Sequence, residues 1–391
     1  MISEEEARTK ILQAVQPLPP RTLPVLDALD RFAAGDYFAR VPLPSFDNSA
    51  MDGYAVRASD SHAGPRLRVI GEQPAGVDRK LRVSKGEAVR IFTGAPIPAG
   101  ADAVVMQEDI VRHRDEIVVN EAAEVGEFIR KRGCDLSEGQ KIVSVGERIS
   151  SATVGLLASQ GLTEVRVGGE VRAAIVSGGD ELARPGVKLE PGQIYESNSP
   201  LLQALLKRCG ATANSAQHCS DNIEALRGAF QAAAGCEVLI VSGGVSVGEH
   251  DLVQAALWSL GAKIDIWRVA IKPGKPFLFG RLDHCFVFGL PGNAVSAFVT
   301  FLQFVRPAIL KMMGAAEIDL PKVPARLAVD IKNDGDRVNY FRGRFDHGTF
   351  TPVGRQESHA LFGLSQSNAL LRVGIGDSLE KDSIVDVQLW S

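Results

Sequence analysis

Val238-Leu239-Ile240-Val241-Ser242-Gly243-Gly244-Val245-Ser246-Val247-Gly248 is an apolar, β-branched run that breaks into glycine and serine. The same grammar recurs nearby. Ala173-Ala174-Ile175-Val176 leads into Ser177-Gly178-Gly179-Asp180-Glu181, and residues 286–290 lead into Pro291-Gly292-Asn293. A fourth loop of this kind is Lys272-Pro273-Gly274-Lys275-Pro276. Helical periodicity covers residues 200–208, 223–234, 251–260 and 294–313. Apolar runs alternating with helices predict a parallel sheet with helices on both faces, a three-layer α/β domain. In such sheets ligands bind beyond the carboxyl ends of the strands, which is where these loops fall.

Composition narrows the function classes. The 391 residues suffice for two to four domains. A net charge of -4 argues against a general nucleic-acid binder. No stretch reads as the roughly twenty apolar residues of a membrane span, so no membrane partner is expected. Residues 1–10 are acidic and helical, unlike a signal peptide. The five cysteines contain no C-x-x-C pair, which predicts free thiols in the cytoplasm rather than zinc ligands or disulfides.

Around the central domain the texture changes. Helical patterns at residues 3–15 and 25–32 open the chain, with Ser3 and Glu6 spaced as a capping box. Short alternating segments separated by Pro- and Gly-rich turns then predict a β-rich lobe over residues 43–132. Residues 133–168 return to a helix and a strand, so residues 1–42 and 133–168 read as one discontinuous, mixed helical domain into which the lobe is inserted. The α/β domain spans residues 169–318. Residues 319–391 carry short strand candidates and no helical pattern, which predicts a small β-barrel-like domain.

The loops suggest chemistry. A glycine-rich turn lets backbone N–H groups approach an anion, and a following helix adds partial positive charge. Ser242-Gly243-Gly244-Val245-Ser246 and Pro291-Gly292-Asn293 both fit that phosphate cradle, although each could be only a tight strand-to-helix turn. Lys272 and Lys275 flank a turn stiffened by Pro273 and Pro276. They are either a solvated charged hairpin or two cations held for an anion. Asp180, Glu181, Asp221 and Asp251 fall at the same end of the sheet. Carboxylates beside phosphates call for a cation such as Mg²⁺, with Asp251 and Asp221 as ligands. For Asp221 a helix-capping role, shared with Ser220, is the alternative. Asp52 and Thr93 sit in long polar turns that serve either chain reversal or a site.

Together these stretches resemble the family of bacterial MoeA and the E domain of gephyrin. The resemblance covers the whole chain. It rests on Pro44-Ser45-Phe46-Asp47-Asn48-Ser49-Ala50-Met51-Asp52-Gly53-Tyr54-Ala55-Val56, Thr93-Gly94-Ala95-Pro96, Ser242 to Gly248, Lys272 to Pro276 and Gly289-Leu290-Pro291-Gly292-Asn293. It implies molybdenum cofactor biosynthesis: molybdate is inserted into adenylylated molybdopterin, releasing AMP. It further implies Mg²⁺ dependence, four domains and a homodimer with a shared cleft. Carried over, Ser177, Gly178, Gly179, Asp180 and Glu181 would hold nucleotide and pterin phosphates. So would Ser242, Gly243, Gly244, Ser246 and Gly248, with Pro291, Gly292 and Asn293. Asp251 would sit at the metal and the anhydride. Lys272, Lys275, Pro276, Arg342 and Ser358 would receive molybdate, and Asp52, Thr93 and Asp135 would reach in from the partner. The chain departs from the family at Ala294, where a second proline is frequent, and at Arg268, where some members carry lysine. Molybdopterin adenylyltransferase and molybdoenzymes are the protein partners this implies. Rival readings are an adenylyltransferase-like nucleotide enzyme and a non-catalytic dimeric scaffold.

Overall fold

The computed structural model describes residues 1–62, 64, 66–244 and 252–390. Ser246, Gly248 and Asp251, named above as candidates, lie outside the described residues. The chain divides into two compact units. One comprises Met1–Gly35, Val145–Val154 and Thr163–Ser391, and the other Asp36–Ser144 with Gly155–Leu162.

The first unit is built on a six-stranded sheet. Its order is Thr212–Cys219, Arg172–Gly178, Val238–Ser242, Cys285–Leu290, Leu278–Leu282 and Lys263–Trp267. The first four strands run parallel. The last two are antiparallel, so the sheet is mixed rather than wholly parallel. The cause is local: no crossover helix separates Lys263–Trp267 from Leu278–Leu282, and a short return can only pair strands antiparallel. The strand Thr212–Cys219 gave no sequence signal. It is an edge strand reading Thr-Ala-Asn-Ser-Ala-Gln-His-Cys, exposed over its first five residues, so it lacks the apolar run a buried strand shows.

Alternation along the strands separates two cores. Ala173, Ile175, Ile240 and Phe288 face Leu202, Leu206 and Phe298 of the helices Asn198–Cys209 and Ala294–Thr300. Ala174, Val176, Leu239 and Val241 face Leu226 and Phe230 of Ile223–Ala233 and Val253 and Leu257 of Leu252–Ser259. Each such Val, Leu, Ile or Phe side chain, fully buried, contributes about 1.5–3 kcal/mol. Gly210 ends the helix Asn198–Cys209 in the left-handed region, φ 83°. Asn222 caps Ile223–Ala233 by accepting from Glu224 N and Ala225 N, so the cap is neither Ser220 nor Asp221.

The helix from Ala294 runs through a π-helical turn, Phe301–Val305, to Met312. Over Ala294–Met312 it is long and apolar enough to span a bilayer, contrary to the reading of the sequence. However, 89% of its most apolar window is buried inside the protein, which makes it the central core helix. The N-terminal helix Glu4–Ala14 adds Ala7 and Ile11 to the same core. The helix expected at residues 25–32 is only a 3₁₀ turn, Val25–Ala28.

Five C-terminal strands close on themselves: Val338–Asp346, Thr349–Pro352, Lys322–Leu327, Ile384–Leu389 and Ala369–Val373, the last pairing again with Val338–Asp346. The ring is packed with Leu327, Phe350, Leu371 and Val387. A short helix, Leu361–Ser365, interrupts what read as pure β structure. Its five residues are too few to show a helical period. Two connections matter for the site. Ile271–Lys272 joins the barrel as a further strand, Ile271 opposite Val338 and Lys272 opposite Asn339. Buried Glu4 accepts from Tyr340 Oη and, at 3.0 Å, from Arg372 Nε.

The second unit carries a six-stranded sheet ordered Ala103–Met106, Gly53–Val56, Glu87–Ile91, Arg66–Gln73, Glu116–Val119 and Ile110–His113. Tyr54 and Val56 pack on one face and Ala55 on the other.

All five cysteines are free, and only Cys134 is exposed. Burial pushes the thiols of Cys209 and Cys285 up to about 11 and about 12. Native protein at pH 8 is therefore expected to react once per chain with an aromatic disulfide reagent, and five times when denatured. More than one fast native equivalent would contradict this packing.

Candidate anion-binding pocket

Parallel strands deliver their loops to one edge, and a pocket of about 740 Å³ opens there. Ser177, Gly178, Gly179 and Glu181 line it from the first strand, and Ser242, Gly243 and Gly244 from the second. Pro291, Gly292 and Asn293 come from the third, and Asp221 follows the edge strand. Lys272, Pro273, Gly274, Lys275 and Pro276 form another wall. The barrel side adds Arg337, Gln356, Glu357 and Ser358. The sites foreseen on four separate loops therefore converge.

The loops are held by side chains the sequence did not single out. Asn198 Nδ2 donates to Ser242 Oγ at 2.8 Å and to the Gly292 carbonyl at 2.7 Å, fastening two strand-end loops together. Glu196, itself buried, accepts from Ser199 N at 2.8 Å. Asn293 Nδ2 donates to Ser358 Oγ at 2.8 Å, which ties the third loop to the barrel. Glu196 lies just before the helix Asn198–Cys209 and Asn198 opens it, where polar residues ordinarily read as caps, so their pattern carried no other signal.

Glycine is required at Gly243. Its φ is 84°, and a methyl there would lie 2.6 Å from the Gly178 carbonyl oxygen. The close approach brings two backbone turns together at the pocket floor. At the helix that starts with Ala294, Asn293 provides no side-chain cap. First-turn N–H groups and the helix dipole then supply partial positive charge to this edge.

Lys272 and Lys275 are exposed on a turn whose Pro273 and Gly274 are buried. Val269 N donates to the Lys275 carbonyl at 3.1 Å, and Lys272 lies in the strand joined to the barrel. The turn is thus anchored at both ends and is not a free hairpin. Neither ammonium makes a salt bridge among the described residues.

Arg342 departs from expectation. It is 1% exposed and does not line the pocket. Its Nη2 donates to the Arg355 carbonyl, and its backbone N and O both bond the Gln356 side chain. Burial pulls its pKa down, with Glu357 opposing. Arg342 braces the loop that presents Gln356, Glu357 and Ser358, while its buried Nε and Nη1 have no protein partner among the described residues. Asp180 also stays out of the lining; its Oδ1 accepts from Asp221 N at 3.1 Å. Arg268 takes φ 74° and its backbone N donates to the Phe277 carbonyl at 2.8 Å, while Ala294 is buried as the first residue of the core helix.

Asp52, Thr93 and Asp135 belong to the second unit. Asp52 Oδ1 accepts from Thr93 N at 2.7 Å and from Thr93 Oγ1 at 2.8 Å. Those bonds, the backbone one first, hold the Asp52 carboxyl below its ordinary range. Asp135 is exposed, and its N donates to the Leu43 carbonyl at 3.0 Å. Among the described residues no three His, Cys, Asp or Glu side chains cluster as a metal site.

Backbone turns, a helix start and three basic side chains around one cavity define an α/β protein with a candidate anion-binding pocket at a sheet's switch point. Family models agree and go further. Residues 2–161 match the MoeA N-terminal region (domain I and II), 174–311 a probable molybdopterin binding domain, and 324–390 the MoeA C-terminal region (domain IV). The molybdopterin molybdenumtransferase of Haemophilus influenzae is 37% identical over 95% of this chain and 94% of its own. Molybdopterin molybdenumtransferase 2 of Mycobacterium tuberculosis is 35% identical over 100% and 99%. A crystal structure of the molybdopterin biosynthesis MoeA protein from Pyrococcus horikoshii superposes with a TM-score of 0.84, at 28% identity over all of both chains. The chain belongs to the MoeA family of molybdopterin molybdenumtransferases.

Gly243→Ala is expected to lower stability by about 1–3 kcal/mol through the left-handed backbone alone, and further through the clash. Urea unfolding checks this; an unchanged midpoint would show that the two turns can separate freely.

Proposed function

We infer that this protein is a transferase of molybdenum cofactor biosynthesis, which inserts molybdate into adenylylated molybdopterin and releases AMP. The observation carrying this reading is the convergence of two kinds of anion-binding group on one pocket: glycine turns at the strand ends and an anchored lysine pair beside them. The adenylyltransferase alternative would account for residues 174–311 alone and leaves the matched regions on either side without a use.

In the mechanism this supports, the backbone N–H groups of the Gly178, Gly243 and Gly292 loops bind the nucleotide and pterin phosphates. Ser177 and Ser242 add hydroxyls at the same edge. Lys272 and Lys275 bind the molybdate dianion, with Ser358 and the backbone at Pro276 beside them. Holding both anions in one pocket replaces a bimolecular encounter with a fixed approach, and that proximity supplies much of the rate. Fixed cations and dipoles stabilise charge that separates as the anhydride opens. Mg²⁺ uses one or two protein carboxylates and completes its shell with phosphate oxygens and water, a demand Asp221 on the pocket wall fits. When bound it polarises the phosphoanhydride.

Four domains, with residues 1–42 and 133–168, 43–132, 169–318 and 319–391 as their bounds, accommodate the matched regions. A homodimer in which Asp52, Thr93 and Asp135 of a second copy complete the cleft is part of the same proposal. Free, largely buried thiols support a reducing, cytoplasmic setting.

The test is AMP release from adenylylated molybdopterin with and without molybdate. Release is expected to require molybdate, and molybdate-independent release would sink the reading. Lys275→Ala is expected to raise the half-saturating molybdate concentration about tenfold or more, the scale of one lost charge-assisted contact.

A further inference from the structure

We propose that Glu196 and Asn198, beside an apolar ledge of Leu182 and Ile194, form the subsite that reads the pterin ring of the substrate by its hydrogen-bond donors. This rests on the transferase reading above, since that reading supplies the pterin.

Among the described residues the cavity is lined by four carboxylates as well as three basic side chains. A phosphate or an oxyanion satisfies the cations but offers no proton to the acceptors, so another part of the ligand must donate. Glu196 shows this most plainly. It is 8% exposed and lines the cavity. Its side chain has one partner among the described residues, Ser199 N at 2.8 Å, and no basic side chain forms a salt bridge with it there. A carboxylate so enclosed is unfavourable unless further donors meet it. Asn198 repeats the demand two residues on. Its Nδ2 is committed to Ser242 Oγ and the Gly292 carbonyl, while Oδ1 is buried without a protein partner. An amide oxygen only accepts. Ser177, opposite Ser242 in the sheet, also carries a buried, unpartnered Oγ, and a hydroxyl can donate or accept.

The wall beside these groups is apolar. Leu182 and Ile194 line the cavity and lie opposite each other in a short parallel strand pair, so their side chains share a face. Ile194 is 56% exposed. Ile194 N donates to the Glu181 carbonyl and Glu196 N to the Ala183 carbonyl, each at 2.9 Å, so ledge and carboxylate are carried by one anchored segment. A hydrated cation or a phosphate gains nothing from such a ledge, whereas the face of a flat ring does. The substrate has two ring systems. Adenine offers one donor group, its amine, among several acceptors. The 2-amino-4-oxo edge of a pterin presents a carbonyl, a ring N–H and an amine side by side. That edge gives donors to both Glu196 and Asn198 Oδ1 and an acceptor to a hydroxyl such as that of Ser177. Donor count therefore selects the pterin.

The test compares wild type with Glu196→Gln and Ile194→Ser in molybdate-dependent AMP release, and measures the affinity for AMP alone by calorimetry. Glutamine keeps an acceptor for Ser199 N but sets its own N–H groups against the ring donors. Glu196→Gln is expected to raise the half-saturating adenylylated molybdopterin about tenfold or more, the scale of a lost hydrogen bond to a charged group. Ile194→Ser should raise it about threefold or more. The half-saturating molybdate and Mg²⁺ concentrations, and the affinity for AMP, should each change less than twofold. Both variants should melt within a few degrees of wild type; if Glu196→Gln fails to fold, Ile194→Ser decides by the same comparison. An unchanged requirement for adenylylated molybdopterin in folded Glu196→Gln would overturn the assignment while leaving the transferase reading in place. A matching loss of AMP affinity would give the subsite to adenine, and a raised Mg²⁺ requirement would make Glu196 a metal ligand; either result overturns it. Equal losses toward every ligand overturn it too, because that is what a purely structural residue gives. If wild-type AMP release proves independent of molybdate, the transferase reading itself falls and takes this assignment with it.

Discussion

Parallel strands must all end on the same edge. That constraint, more than any single contact, organises the first unit of this protein. Arg172–Gly178, Val238–Ser242 and Cys285–Leu290 are neighbours in the sheet but are separated in sequence by whole helices. Their register forces Gly178, Gly243 and Gly292 within reach of one cavity. The chain leaves Arg172–Gly178 first toward Thr212–Cys219 and then returns to Val238–Ser242 on its other side. The crevice at that reversal is where ligands of open α/β sheets bind.

The second constraint is that the cationic turn is not left to the α/β domain alone. Ile271–Lys272 pairs with the first residues of the long barrel strand, and Asn293 reaches Ser358 across the same seam. Charges on flexible stems lose entropy when they bind. Fixing the backbone beneath them removes part of that cost before the ligand arrives. The buried Glu4–Tyr340–Arg372 contact braces the same barrel strand from the N-terminal helix. Burial and the adjoining Glu4 carboxylate push the Tyr340 hydroxyl well above its ordinary pKa. It therefore stays a hydrogen-bond donor across the neutral range.

Much of this was legible in the residues. Apolar runs ending in glycine marked three strands and the edge they share, because burial on both faces leaves a strand no polar positions. Lys272 and Lys275 declared themselves through the prolines around them. Other features were hidden for definable reasons. Thr212–Cys219 has the composition of a loop because an edge strand can be polar. Asn222 took the cap from Ser220 and Asp221 because position along a turn is decided within one residue. The core helix Ala294–Met312 read only as a helical pattern, which did not show that nearly every side of it is enclosed. Arg342 was expected at the cavity but is buried against the loop of residues 355–358, a contact between segments that the sequence does not display. Asn198 was invisible because its two partners, Ser242 and Gly292, are distant in the chain.

The enclosed helix Ala294–Met312 has a consequence for synthesis. Its apolar length would suit a lipid environment as well as a protein interior, and a ribosome delivers it in one piece. Yet most of the surfaces that cover it, on Ile240, Phe279, Leu202 and Ile11, are encoded upstream. The segment thus emerges after its own shelter has been made, and the order of the chain shortens the interval during which it could be captured by a bilayer or by another unfinished copy.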